Sequence, residues 1–197
     1  MDSPKNVAIL IFDDVEVLDF CGPFEVFSVA GRRENLDLFN VYTVAESSRP
    51  VFARNKLSIN PTFTVHDLPK PDILVVPGGY GTRREMHNTK LVQWVREQAA
   101  EAELVLSVCT GALLLAKADL LQNLKATTHH GALDLLKEVA PNTEIVKERF
   151  VDNGAVILSA GISAGIDMSL HVVEKLHGRE TAVETAAYME YDWRSDA

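Results

Sequence analysis

Cysteine is scarce in this chain of 197 residues: only Cys21 and Cys109 occur, and neither belongs to a C-x-x-C pair. Two isolated thiols exclude a disulfide framework and a structural zinc site, and they fit a reduced, cytoplasmic protein. Positive charge is also short, with 19 Lys and Arg against 28 Asp and Glu and a formal net charge of −9. No basic stripe interleaved with aromatics is present, so neither a nucleic-acid partner nor an anionic membrane surface is expected. Long apolar runs are missing as well. The first, Val7 to Phe12, stops at Asp13-Asp14, too short for a secretory core or a membrane span. Repeats, low-complexity tracts and linkers are lacking, and 47% hydrophobic beside 24% charged residues predicts a single globular domain over residues 1–197.

Short apolar runs alternate with helical patterns. Val7 to Phe12, Phe39 to Val44, Ile73 to Val76, Leu104 to Val108 and Ala155 to Ser159 read as strands. Helices are expected from Gly22-Pro23 to about Ala30, with proline in the first turn, and over Thr89 to Ala100, capped by Asn88. Further helices are expected over Thr110 to Leu121, Leu133 to Val139, Ile166 to Leu176 and Glu180 to Tyr188. Alternation of this kind predicts βαβ units around a mostly parallel sheet. Asp152-Asn153-Gly154, between Phe150-Val151 and Ala155-Val156, marks an inserted hairpin. Ligands of such sheets bind beyond the carboxyl ends of the strands.

Cys109 stands at one of those ends. Leu104 to Val108 is a buried-strand run, and Thr110-Gly111-Ala112 carries little bulk where the backbone must turn into a helix. This is the layout of a nucleophile elbow, where helix N-terminal amides would lower the thiol pKa. The competing reading is a small core hydrophobe. Pro77-Gly78-Gly79 ends another buried strand; it is either a plain turn or a source of amides for an oxyanion. Asp19, between Leu18 and Phe20 in the segment linking the first strand to its helix, is either a raised-pKa acid or base near Cys109 or an acceptor for the Gly22-Pro23 turn. Cys21 is assigned to packing and Glu25 to a solvated face. Thr127-Thr128-His129-His130 offers a base or substrate contacts, and adjacent histidines without further ligands make metal the weak option. His171 and His177 read as surface or packing residues, and Asp167 as a cap or support of its helix.

Taken together, Leu18-Asp19-Phe20-Cys21-Gly22-Pro23, Val76-Pro77-Gly78-Gly79, Ser107-Val108-Cys109-Thr110-Gly111 and Ala126-Thr127-Thr128-His129 resemble the ThiJ/PfpI superfamily over nearly the whole chain. The acid in the L-D-x-x-G-P segment, the threonine after the cysteine and the A-T-T-H segment are most similar to its isonitrile hydratase branch. That resemblance implies a flavodoxin-like three-layer α/β sandwich, a homodimer, and Cys109 as nucleophile on its elbow. It implies hydration of an isonitrile to an N-substituted formamide without cofactor or metal. Cys109, Asp19 and Thr110 would carry catalysis, and Gly78, Gly79, Thr128 and His129 would hold a small-molecule substrate. Phe20, Phe24 and Tyr80 are available to line an apolar pocket. Protease and glyoxalase-like members place histidine after the cysteine and glutamate on the early loop; Thr110 and Asp19 stand there instead. Regulators of the arabinose-operon type add a helix-turn-helix pair, for which no room is expected before Ala197. The alternative from another class is a dimeric redox or small-ligand sensor built on the same low-pKa thiol.

Overall fold

The computed structural model describes residues 3–193. Its strands are β1 (Lys5–Leu10), β2 (Phe39–Ala45), β3 (Val51–Phe52), β4 (Ser58–Ile59), β5 (Phe63–Thr64), β6 (Ile73–Val76), β7 (Leu104–Val108), β8 (Lys125–Ala126), β9 (Glu144–Ile145), β10 (Phe150–Asp152) and β11 (Val156–Ser159). Its helices are α1 (Val17–Val29), α2 (Thr82–Glu85), α3 (Thr89–Glu101), α4 (Ala112–Lys117), α5 (Leu133–Val139), α6 (Ala164–His177) and α7 (Arg179–Tyr188).

Seven strands form the central sheet in the order β10-β11-β7-β6-β1-β2-β5. Every pairing is parallel except β10 with β11, the expected hairpin. β6 and β7 are buried at every position, as apolar strands must be when helices cover both faces. Helices α1, α6 and α7 pack together, while α3, α4 and α5 form the second group. This is the flavodoxin-like sandwich. The short strands β3, β4, β5, β8 and β9 were not legible as strands, because two-residue pairings carry no periodic signal.

Two of the helix starts that differ from expectation bear on the site. Helix α1 begins at Val17, so Asp19 lies in its first turn rather than in a loop, and Pro23 is inside the helix rather than at its opening. Pro23 already has the helical φ, but inside the helix it forfeits the bond its missing N–H would make to the Asp19 carbonyl and sets its ring against that carbonyl. Gly22 reports close helix packing instead of a turn: a Cβ there would meet the Ile166 side chain of α6 at 3.0 Å. After β7, Cys109–Gly111 forms a single 3-10 turn before α4, which stops at Lys117, short of Leu121.

Candidate active site

Cys109 sits at the carboxyl end of β7 with φ 56°, the left-handed region that few non-glycine residues adopt. Hydrogen bonds between its backbone and two other segments hold it there. Its N–H donates to the Ala160 carbonyl at 2.9 Å, and its carbonyl accepts the Thr128 hydroxyl at 2.7 Å. Gly111 makes the turn possible, since a Cβ there would stand 2.0 Å from the Val76 carbonyl oxygen.

The first turn of α1 brings Asp19 to the elbow. The carboxylate is fully buried. Its Oδ2 accepts the Gly78 N–H at 3.1 Å, while Oδ1 is buried without a hydrogen-bond partner. Burial pushes the carboxyl up to about 7; the Cys109 thiol opposes this by favouring the charged form, and the negative charge of Glu16 adds to it. The sequence alternative, Asp19 bound to the Gly22-Pro23 turn, is replaced by this bond to Gly78. Glu16, half-buried just before α1, also donates its N–H to the Gly78 carbonyl at 2.9 Å. It went unnoticed in the sequence because its role depends on where α1 begins.

The sulfur departs from expectation. Burial, followed by the charge of Asp19, pushes the Cys109 thiol up to about 12, and the Thr110 and Ile162 amides act the other way without prevailing. Helix-end amides therefore do not make a resting thiolate here, because desolvation and a neighbouring carboxylate outweigh them. Ile162, in the loop after β11, was not singled out in the sequence. Its contribution is a main-chain N–H, which leaves no side-chain signature.

Gly78 and Gly79 also behave differently from free oxyanion donors. The Gly78 amide is engaged by Asp19, and the Gly79 amide donates to Thr110 Oγ1 at 2.9 Å. Thr110 Oγ1 lies 3.1 Å from the Gly79 carbonyl and receives the Thr82 hydroxyl at 3.0 Å. Thr110 thus fastens the glycine turn to the elbow rather than reaching outward. The amides that approach the sulfur are those of Thr110 and Ile162.

Thr128 and His129 follow β8. His129 Nδ1 accepts the Gly131 N–H at 3.1 Å, which leaves Nε2 to carry the proton of a neutral ring. Burial, then His130 and Arg83, lower its pKa and favour that neutral form, against the opposing charge of Glu16. A cleft of about 600 Å³ opens here, with Thr128, His129, Leu133, Gly161 and Ile162 among its walls. A separate cleft around Phe12, Glu46, Arg49 and Phe52 contains none of the candidate residues. Phe20 belongs to the core and Phe24 packs against it, whereas Tyr80 is exposed between the Arg54 and Arg83 guanidiniums. Cys21 is half-buried against the core, and Glu25 is exposed. His171 pairs with Asp152 at 2.9 Å, and the His177 ring packs edge-on to Phe39. Among the described residues, no group of three or more His, Cys, Asp or Glu could hold a metal ion, and no helix is long and apolar enough to cross a membrane.

The sequence profile of the DJ-1/PfpI family matches residues 5–175. The chain belongs to the DJ-1/PfpI family. Among its relatives, the isonitrile hydratase of Pseudomonas putida is 37% identical over 94% of this chain and 78% of its own length. The HTH-type transcriptional regulator CdhR of Pseudomonas aeruginosa is 32% identical over 90% of this chain, which spans 52% of that regulator. A ThiJ/PfpI family protein from Pseudomonas syringae has a TM-score of 0.88 at 29% identity, covering 99% of this chain and 78% of the other. The Drosophila melanogaster DJ-1beta structure, TM-score 0.83 at 20% identity over 97% of this chain and all of that one, shows the shared fold. The family therefore holds enzymes and regulators on one scaffold, and the reaction has to be argued from the site.

Proposed function

We propose that this DJ-1/PfpI domain is a cysteine-dependent isonitrile hydratase acting on a small apolar isonitrile, with Cys109 as nucleophile and Asp19 as its proton carrier. The observation that carries the reading is the fully buried Asp19 carboxyl set against a Cys109 thiol that rests protonated. Similarity to an isonitrile hydratase at 37% identity over 94% of the chain supports it.

The chemistry follows from where protons rest. Ionised Asp19 takes the thiol proton as sulfur attacks the terminal carbon of R–N≡C, then gives that proton to the same carbon. The product is the thioimidate R–N=CH–S–Cys, a one-to-one addition of S–H to carbon. Asp19, again a carboxylate, then draws a proton from water as the water oxygen attacks the thioimidate carbon and passes that proton to the nitrogen, giving R–NH–CH(OH)–S–Cys. Collapse of the tetrahedral adduct forms R–NH–CHO and expels the sulfur, which regains the hydroxyl proton through Asp19. The Thr110 and Ile162 amides stabilise negative charge on sulfur at both of its transitions. The His129 Nε2–H would donate a hydrogen bond to the substrate, and the cleft beside Ile162 would receive the R group. A thiol resting protonated reacts slowly with peroxide, which weighs against the redox-sensor alternative. Under this reading the site needs no cofactor, and the protein works as a homodimer in the cytoplasm.

Acid-quenched protein mixed with cyclohexyl isonitrile should carry one added isonitrile on the Cys109 peptide, and Asp19→Asn should carry none. An adduct that forms equally well without Asp19, or never forms on Cys109, would remove the proposal.

A further inference from the structure

Arg149 clasps the loop that presents the Ile162 amide. At the loop's start its carbonyl accepts the Ala160 N–H at 2.8 Å; at the loop's end its guanidinium donates to Ser163 Oγ at 3.3 Å. The same guanidinium pairs with Asp167 of α6, donating from Nε at 2.5 Å and also from Nη2. Asp167 is buried, and its other oxygen accepts the Tyr191 hydroxyl at 3.0 Å. Residues 160–163 are thus tied at one end to the Arg149 main chain and at the other to its guanidinium, whose ion pair with Asp167 is itself fastened to the segment after α7.

Between those ties stands Ile162 at φ 51°. A β-branched residue is a clear outlier in that region, and such a conformation persists only where the surroundings over-determine it. The two Arg149 bonds, to Ala160 and to Ser163, bracket it. Loop residue Ala160 also receives the Cys109 N–H, so the same segment fixes both the elbow's backbone and the amide aimed at its sulfur.

We propose that Arg149, Asp167 and Tyr191 are positioning residues that hold the Ile162 amide against the Cys109 sulfur, where negative charge develops during attack and expulsion. The inference rests on the nucleophilic role given to Cys109 above, yet thiol chemistry tests it without any isonitrile. The charged group facing the sulfur is Asp19, which these substitutions leave in place. The assay is iodoacetamide alkylation of the full chain between pH 8 and 10, with Cys109 and Cys21 resolved by peptide mass.

Loss of one amide from a sulfur anion corresponds to about one pH unit in thiol acidity, so Arg149→Met and Asp167→Asn should alkylate about tenfold more slowly at Cys109, with the pH slope retained. Tyr191→Phe, which keeps its ring, should slow the reaction about threefold. A brace that only stabilises the fold gives the opposite sign, because a loosened loop exposes the sulfur and speeds alkylation; unchanged or faster rates in variants with native circular dichroism overturn the proposal. Should Arg149→Met fail to fold alone, an Ile162→Gly background decides. Glycine adopts φ 51° without strain, so Arg149→Met added there should slow alkylation less than about threefold. A loss of tenfold or more on adding Arg149→Met to the glycine background contradicts the brace. If Cys109 alkylates normally but no isonitrile is hydrated, the proposed function falls while this comparison still stands.

Discussion

Asp19→Asn should make the protein more stable at pH 8 while abolishing its activity. The carboxyl is raised from 3.8 to about 7 by burial, so the native state keeps its proton through a range in which the unfolded chain has lost it. Between those values the native state binds more protons than the unfolded one, and stability falls as pH rises from about 4 to about 7, then levels. A shift of that size costs the wild type about 4 kcal/mol above pH 7. Asparagine keeps an oxygen for the Gly78 N–H but places an unpartnered NH2 at the Oδ1 position, which costs about 1–3 kcal/mol. The net gain is therefore about 1–3 kcal/mol at pH 8, equivalent to about 2–12 °C in Tm for a domain of this size. At pH 4 the carboxyl is neutral in the native state and the gain disappears. Urea titrations of both proteins at pH 4 and pH 8 check this. A variant no more stable than wild type at pH 8, or a difference that does not change with pH, would refute the burial argument and with it the raised Asp19 pKa.

Hydration should rise with pH through about 7 as Asp19 ionises to become the base, which a kcat/KM profile from pH 5 to 9 measures; a profile flat across pH 7 contradicts the assigned role. Gly111→Ala should destabilise by more than about 2 kcal/mol, since its Cβ would overlap the Val76 carbonyl at 2.0 Å and the conflict is with backbone. Denaturant midpoints report it, and a variant within error of wild type would contradict the close approach of the elbow turn to β6. Thr110→Val should cost about 1–3 kcal/mol by orphaning the Gly79 N–H. It should also lower kcat more than it raises KM, because Thr110 holds the turn that orients Asp19; unaltered steady-state kinetics would separate that turn from catalysis.

The elbow was readable because two local signals coincide at Cys109: a fully apolar strand before it and Gly111 just after it, where any Cβ would strike β6. The sheet was readable for the same reason, each of β1, β2, β6, β7 and β11 being an apolar run bounded by polar or turn residues. Asp19 was identified but set in a loop, since Gly22-Pro23 reads as a helix opening whereas the glycine serves contact with Ile166 and the proline is tolerated inside α1. Thiol acidity was misjudged for a deeper reason. Helix-end amides are local and visible in a sequence, while the burial that defeats them comes from tertiary packing, which also brings the Asp19 carboxyl of α1 to the sulfur. Ile162, Glu16 and the Arg149 clasp act through backbone groups or long-range pairs, and their residue types announce nothing.

The central claim is that Cys109 and Asp19 together turn over an isonitrile. The most direct measurement is formamide production from cyclohexyl isonitrile by wild type, Cys109→Ala and Asp19→Asn at pH 8. Many turnovers per wild-type chain with none in either variant is the predicted result; no turnover by wild type, or turnover that survives loss of Cys109, contradicts the account.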